Sequence, residues 1–182
     1  MKLLIASDIH GSLSAARKVV QLIAIEQADY LVFLGDAMYH GPRNPLPDSY
    51  DPAGVAAILN TVASQVIATR GNCDSEVDQM LLDFTITADY QVIPLRNGKL
   101  FATHGHVFEP NNLPSSLTRG DIFASGHTHV PVLTVADNGV IVINPGSVSL
   151  PKENHPPTYA MVTDTEILIK TFDQKIYREL MR

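Results

Sequence analysis

Cysteine is almost absent: Cys73 stands alone in 182 residues. That excludes an internal disulfide and a cysteine-rich zinc module, and it suits a reducing compartment. Positive charge is also short. Lys and Arg number 13 against 19 Asp and Glu, giving a formal charge of -6 and a pI near 5.5. Such a surface repels a nucleic-acid backbone, so nonspecific nucleic-acid binding is not expected, although a locally positive site can still take one phosphate group. No apolar run reaches the length of a membrane span, and residues 3–6 fall short of the roughly 7–15 apolar residues in a secretory leader. A soluble cytoplasmic protein is the expectation. Gly98-Lys99 lacks the upstream glycine and the following Ser or Thr of a phosphate-binding loop, and no Gly-x-Ser-x-Gly elbow supports a serine hydrolase.

What remains is an ordinary globular balance, with 45% hydrophobic and 18% charged residues. The length fits one domain spanning 1–182. Residues 2–6 read as a buried strand, followed by a helix capped by Ser12 or Ser14, with Ala16, Val19, Val20, Ile23 and Ala24 on one face. Residues 30–34 form a second strand, and this strand-helix-strand spacing predicts a parallel pair. A loop with Pro42, Pro45, Pro47 and Pro52 follows, then a helix over 52–64 and a third strand over 66–69. Beyond it strands predominate: 91–95, 100–103, 122–125, 132–135, 140–143, 159–162 and 167–172, with Asp137-Asn138-Gly139 as a hairpin turn. The pattern predicts an α/β fold in which two sheets pack face to face between flanking helices, in αββα layers.

Five short motifs follow apolar runs: Asp8-Ile9-His10, Gly35-Asp36, Gly71-Asn72, His104-Gly105-His106 and Gly126-His127-Thr128-His129. Alone, each has a plain structural explanation, such as a capped turn for Asp36 or a left-handed turn residue for Asn72. Together they place two carboxylates, an amide oxygen and several imidazoles where strand ends converge. Asp8 and His10 can grip one divalent ion, Asp36 can bridge two, Asn72 offers an oxygen to a hard cation, and His104, His127 and His129 offer nitrogen. Clustered ligands of this kind predict metal-assisted hydrolysis of a phosphate ester.

In these motifs the chain resembles the calcineurin-like metallophosphoesterase superfamily over nearly its whole length. The stretch from Asp36 to Asn44, with residues 71–76 and 144–149, makes it similar to the bacterial YfcE-type phosphodiesterases, a small one-domain branch. The resemblance implies two divalent metal ions. One would be held by Asp8, His10, Asp36 and His129, the other by Asp36, Asn72, His104 and His127. Manganese is the first choice, with iron, zinc, nickel and magnesium as alternatives, because the mixed oxygen and nitrogen set does not discriminate. A hydroxide bridging the ions would attack phosphorus. Asp36, Asn72, Asp74, His104 and His106 are the candidate catalytic residues, and His40, Arg43, Asn44 and Arg70 the candidate substrate contacts. Many members of the superfamily carry a histidine where this chain has Cys73, so leaving-group assistance would be weak or come from His40 or His106.

The activity expected is hydrolysis of a small phosphodiester. A phosphomonoesterase is the enzymatic alternative. A non-catalytic scaffold, as in a retromer subunit of the same superfamily, is the alternative of another class. The loops at 42–52 and 109–118 are expected to shape the pocket, His155 to be solvated, and the YfcE-type resemblance suggests self-association.

Overall fold

The computed structural model describes all 182 residues. Its strands are β1 (Leu3–Ala6), β2 (Tyr30–Phe33), β3 (Val66–Ala68), β4 (Tyr90–Pro94), β5 (Lys99–Thr103), β6 (Ile122–Ala124), β7 (Val132–Val135), β8 (Ile141–Asn144), β9 (Thr158–Val162), β10 (Glu166–Thr171) and β11 (Ile176–Met181). The helices are α1 (Leu13–Glu26), α2 (Pro52–Asn60) and α3 (Glu76–Leu81).

The strands form two mixed sheets. One has six strands in the order β11-β10-β9-β1-β2-β3, with β1, β2 and β3 parallel and the β9 to β11 meander antiparallel to β1. The other has five in the order β4-β5-β6-β8-β7, with β5, β6 and β8 parallel. Side chains alternate across each sheet. Leu3 and Ile5 of β1 face Leu100, Ala102, Ile122, Ala124, Ile141 and Ile143 of the second sheet in one buried cluster, while Leu4 and Ala6 face the other way onto α1 and α2. The α/β class with two sheets and flanking helices is therefore as the sequence predicts.

The outermost layer over the second sheet differs. The helices gather against the six-stranded sheet, whereas Phe101, Phe123 and Val142 on the outer face of the other are covered by Phe108, Leu113 and Leu117. The 109–118 segment, expected beside the pocket, is thus committed to a second, smaller core. Its two leucines gain more by covering aromatic rings than by lining a polar cleft.

Three local expectations need correction. α2 stops at Asn60 rather than Ser64, and a short 3-10 turn over Ala63–Gln65 leads into β3. α3 and β11 have no counterpart in the sequence reading, because neither buries a periodic apolar face. His155, read as solvated, bonds through Nδ1 to the Tyr177 hydroxyl on β11 at 2.7 Å.

α1 is fixed at both ends. Ser12 accepts from the Ala15 N–H at 3.3 Å at its start, and Gln27 closes it in a left-handed conformation. Near its end Glu26 accepts from the Tyr159 hydroxyl at 2.6 Å and from the Lys170 ammonium, tying the helix to β9 and β10. Burial pushes the Glu26 carboxyl up, but these two partners bring it below its usual range. Replacing Glu26 with alanine leaves both partners without their acceptor. The expected cost is about 2–3 kcal/mol, seen as a lower urea midpoint at unchanged slope.

Candidate metal centre

All five motifs lie in loops leaving the C-terminal ends of parallel strands. β1 leads to Asp8 and His10, β2 to Asp36, β3 to Asn72, β5 to His104 and β6 to His127 and His129. Carboxyl ends of neighbouring parallel strands open onto one crevice, so residues more than a hundred positions apart meet there. His10 Nε2 and His129 Nε2 are 3.1 Å apart, and Asp8 Oδ1 lies 3.6 Å from the first and 3.3 Å from the second. Asp36 Oδ2 stands 3.6 Å from His10 Nε2 and 3.4 Å from His104 Nε2. His104 Nε2 is in turn 3.1 Å from Asn72 Oδ1. One carboxylate oxygen of Asp36 is therefore common to two groups of ligand atoms.

The backbone decides which tautomers these imidazoles adopt. His10 Nδ1 faces the Tyr39 carbonyl at 2.8 Å, His129 Nδ1 the Leu150 carbonyl at 2.6 Å, and His104 Nδ1 the Leu34 carbonyl at 2.8 Å. A carbonyl only accepts, so each Nδ1 must carry its proton and donate. In the neutral rings each Nε2 then presents a lone pair inward. The inner surface is lined by lone pairs alone: three imidazole nitrogens, two carboxylates and one amide oxygen. Asp8 Oδ1 is buried with no hydrogen-bond donor. Such a cluster fits a cation. Ligands about 2.1 Å from one divalent ion stand roughly 3.0–3.5 Å from each other, close to the separations found here.

The titration behaviour has the same origin. Burial raises the Asp8 and Asp36 carboxyls, yet the facing histidines hold Asp8 well below the usual range and Asp36 below it. Burial opposes charge on His104, but the Asp36 hydrogen bond and the field of Asp8 lift it to about 9; His10 is also raised, chiefly by Asp8 against the same burial. These four shifts all reflect attraction between the two carboxylates and the imidazoles that face them.

Supporting residues hold the acidic groups in place. Asp74, also proposed as catalytic, turns both oxygens to the backbone. It accepts from the Asp36 N–H at 2.8 Å, the Ala37 N–H at 2.8 Å and the Gly71 N–H at 2.7 Å, fastening the β2 and β3 loops together. Burial and the nearby Asp36 push its carboxyl up to about 6, against the pull of those donors. Ser147 and Ser149 both donate to the Asp8 carbonyl at 2.9 Å, and Asn144 donates to the Gly126 carbonyl at 2.7 Å, which makes the 144–149 segment a brace behind the site. Asp8 Oδ2 accepts from the His127 N–H at 3.1 Å, linking the two sheets through the ligand loops.

A cavity of about 400 Å³ opens over the cluster, lined by Asp36, Asn72, His127, His129, Arg43, Asn44 and Cys73, and also by Thr128 and Lys152. His127 contributes from the wall, its ring centroid 5.1 Å from that of His104. Burial and then His104 lower its pKa, which keeps it neutral and free to ligate. Arg43 and Asn44 sit where the sequence suggested. Arg70 and His40 do not line the cavity. Arg70 pairs with Glu76 of α3 at 3.4 Å, and His40 is packed edge-on between Tyr39 and Tyr50. His106 packs beside His104 with its Nδ1 buried and unpaired, also off the cavity wall. Burial and then Asp36 push the Cys73 thiol up to about 12, so on its own it stays protonated at neutral pH and is a poor proton donor there, although its Sγ also lies close to His10 and Asp36. Lys152 and Thr128 were not anticipated. Lys152 carries no motif signal, while Thr128 lies inside one, between two histidines whose ligand chemistry dominates the pattern.

Residues 1–166 match the calcineurin-like phosphoesterase superfamily domain. The chain is 52% identical over 182 residues to phosphodiesterase YfcE of Escherichia coli strain K12, covering 99% of this chain and 97% of that protein. The solved structure of YfcE, described as a phosphoesterase from E. coli, superposes with a TM-score of 0.95 at 50% identity, over 99% of this chain and 98% of that one. Vacuolar Protein Sorting 29 from Cryptosporidium parvum shares the fold, with a TM-score of 0.63 at 17% identity over 100% of this chain and 98% of that one.

The close approach at Gly71 gives a test of the geometry. A Cβ there would stand 2.0 Å from Asp36 Oδ1 and 2.4 Å from the Asp36 nitrogen. Gly71→Ala is expected to displace the Asp36 backbone together with its carboxylate, so retention of the fold is checked by circular dichroism alongside. Divalent-ion affinity measured by calorimetry should fall by at least about tenfold, the effect seen when ligand-supporting groups are lost.

Proposed function

The chain belongs to the calcineurin-like phosphoesterase superfamily, and on that premise we propose that it is a metal-dependent phosphodiesterase. The observation that carries this reading is the convergence of two carboxylates, three inward Nε2 atoms and an amide oxygen in one buried cluster, a mixed donor set suited to divalent ions. The 52% identical relative is a phosphodiesterase, which favours a diester over a monoester here. A scaffold reading has less support, since a protein acting only through contacts has no need for three histidines locked with Nε2 inward.

Asp8, His10, Asp36 and His129 would hold one divalent ion, and Asp36, Asn72, His104 and His127 the other, with manganese the first candidate. When bound, the ions supply Lewis acidity to the phosphoryl oxygens and lower the pKa of a water to near neutrality. The protein's own share is positional. The carbonyls of Tyr39, Leu150 and Leu34 keep the imidazoles in the ligating tautomer, and Asp74 and Ser147 hold the loops that carry Asp36 and Asp8. Arg43 and Asn44 present donors to the substrate phosphate from the cavity wall. Leaving-group assistance is weak in this reading: the Cys73 thiol is pushed up to about 12, and His40 and His106 do not line that wall.

Metal-stripped protein should release 4-nitrophenol from bis(4-nitrophenyl) phosphate only after manganese is restored. His127→Ala should lower the rate by at least about tenfold. No release from folded, metal-loaded protein would bring the scaffold reading forward. With leaving-group assistance weak, kcat/KM across aryl phosphodiesters should fall steeply as the pKa of the departing alcohol rises. A flat dependence with chemistry limiting would reveal a proton donor.

A further inference from the structure

The cavity carries more positive charge than one phosphodiester requires. By formal count, two divalent ions against Asp8 and Asp36 leave about +2 at the centre. Arg43 adds a planar donor suited to the scissile phosphate. Lys152 then enters the same cavity from the segment after β8, with no carboxylate partner of its own. Lys99 by contrast pairs with Asp121 at 3.6 Å and Lys170 with Glu26.

The lysine is also anchored. Its N–H donates to the His129 carbonyl at 3.3 Å, and its carbonyl accepts from the His155 N–H at 3.0 Å. The same His129 turns its ring into the metal cluster, so the backbone of Lys152 is fixed relative to the reacting centre while its ammonium stays exposed. The cavity wall holds a single hydrophobic residue, and its other lining is polar or charged. An apolar substrate arm gains little there, and an anionic one gains an unpaired cation. In a protein of net charge -6 this attraction is local.

We infer that Lys152 is a specificity residue that selects phosphodiesters bearing a further phosphate group outside the scissile ester. This rests on the phosphodiesterase reading above. The ammonium is a strongly hydrated point charge on a flexible stem, which suits a second phosphate at a variable distance from the first.

The test uses a matched pair, thymidine 5′-(4-nitrophenyl phosphate) and its 3′-phosphate, on manganese-loaded full-length protein. The 3′-phosphorylated ester should have the higher kcat/KM by at least about fivefold, the scale of one partly exposed ion pair. That ratio should fall toward one in Lys152→Ala, drop below one in Lys152→Glu and be largely kept in Lys152→Arg. Calorimetry supplies a readout independent of turnover: thymidine 3′,5′-bisphosphate should bind more tightly than thymidine 5′-phosphate, and Lys152→Ala should erase the difference. Equal constants in the wild type, or a preference that survives Lys152→Ala and Lys152→Glu, overturns the inference. If both esters are hydrolysed without preference, only the role of Lys152 falls. If neither is hydrolysed but the bisphosphate preference depends on Lys152, the hydrolytic reading falls and the anion subsite stands.

Discussion

Lone pairs facing one another at 3.1–3.6 Å are the constraint around which this molecule is arranged. Two carboxylates and three imidazoles are held at close range away from water, where the low dielectric strengthens every charge interaction and the polar atoms lose their solvation. Stability for such an assembly must come from elsewhere. The inter-sheet cluster around Leu3, Ile5, Ile122 and Ile143 and the helix-facing cluster around Leu4, Phe33 and Leu59 supply it. The loops at the strand ends then act against that reserve. Asp8, His10, Asp36, His127 and His129 all have φ between 50° and 67°, a left-handed conformation that costs non-glycine residues energy and persists only where surrounding contacts enforce it. The enforcing contacts are the carbonyls behind His10 and His129, the His127 N–H on Asp8, the Ser147 hydroxyl on the Asp8 carbonyl and the three N–H groups gathered by Asp74.

Much of this was readable in the sequence, for a definite reason. Buried parallel strands are apolar throughout, and their C-terminal ends share one crevice, so a polar ligand just after an apolar run is informative about space as well as chemistry. That logic placed Asp8, His10, Asp36, Asn72 and His104 together, and both sheets followed from the same runs. It had nothing to say about elements that bury no face. α3 carries Val77, Met80 and Leu81 outward and is started by a capping box between Ser75 and Asp78 rather than by packing. β11 lies at a sheet edge with Arg178 and Glu179 in its middle, paired mainly through its backbone to β10.

Side-chain direction was the other limit. Arg70 and His40 stand one or two residues from ligand motifs or in the adjoining loop, yet Glu76 and two tyrosine rings draw them away from the cavity. Lys152 is remote from every motif, yet a backbone hydrogen bond to His129 brings it to the cavity wall. The 109–118 segment follows a ligand motif directly and still turns to cover Phe101 and Phe123. Proximity in sequence was a good guide where strands fixed the direction and a poor one in loops, where the nearest available partner decides.

The bond from the His127 N–H to Asp8, and the approach of His10 to His129, each span 119 residues of chain. Contacts of such range form only after long loops have closed, and topologies rich in them mature slowly. During synthesis, β1 and α1 emerge long before β6 exists to complete the ligand set. The nascent chain therefore holds Asp8, His10 and Asp36 as isolated polar residues with weak affinity for any ion. The ligand set is complete only once the two sheets have met, which ties any divalent-ion affinity of the chain to the finished fold.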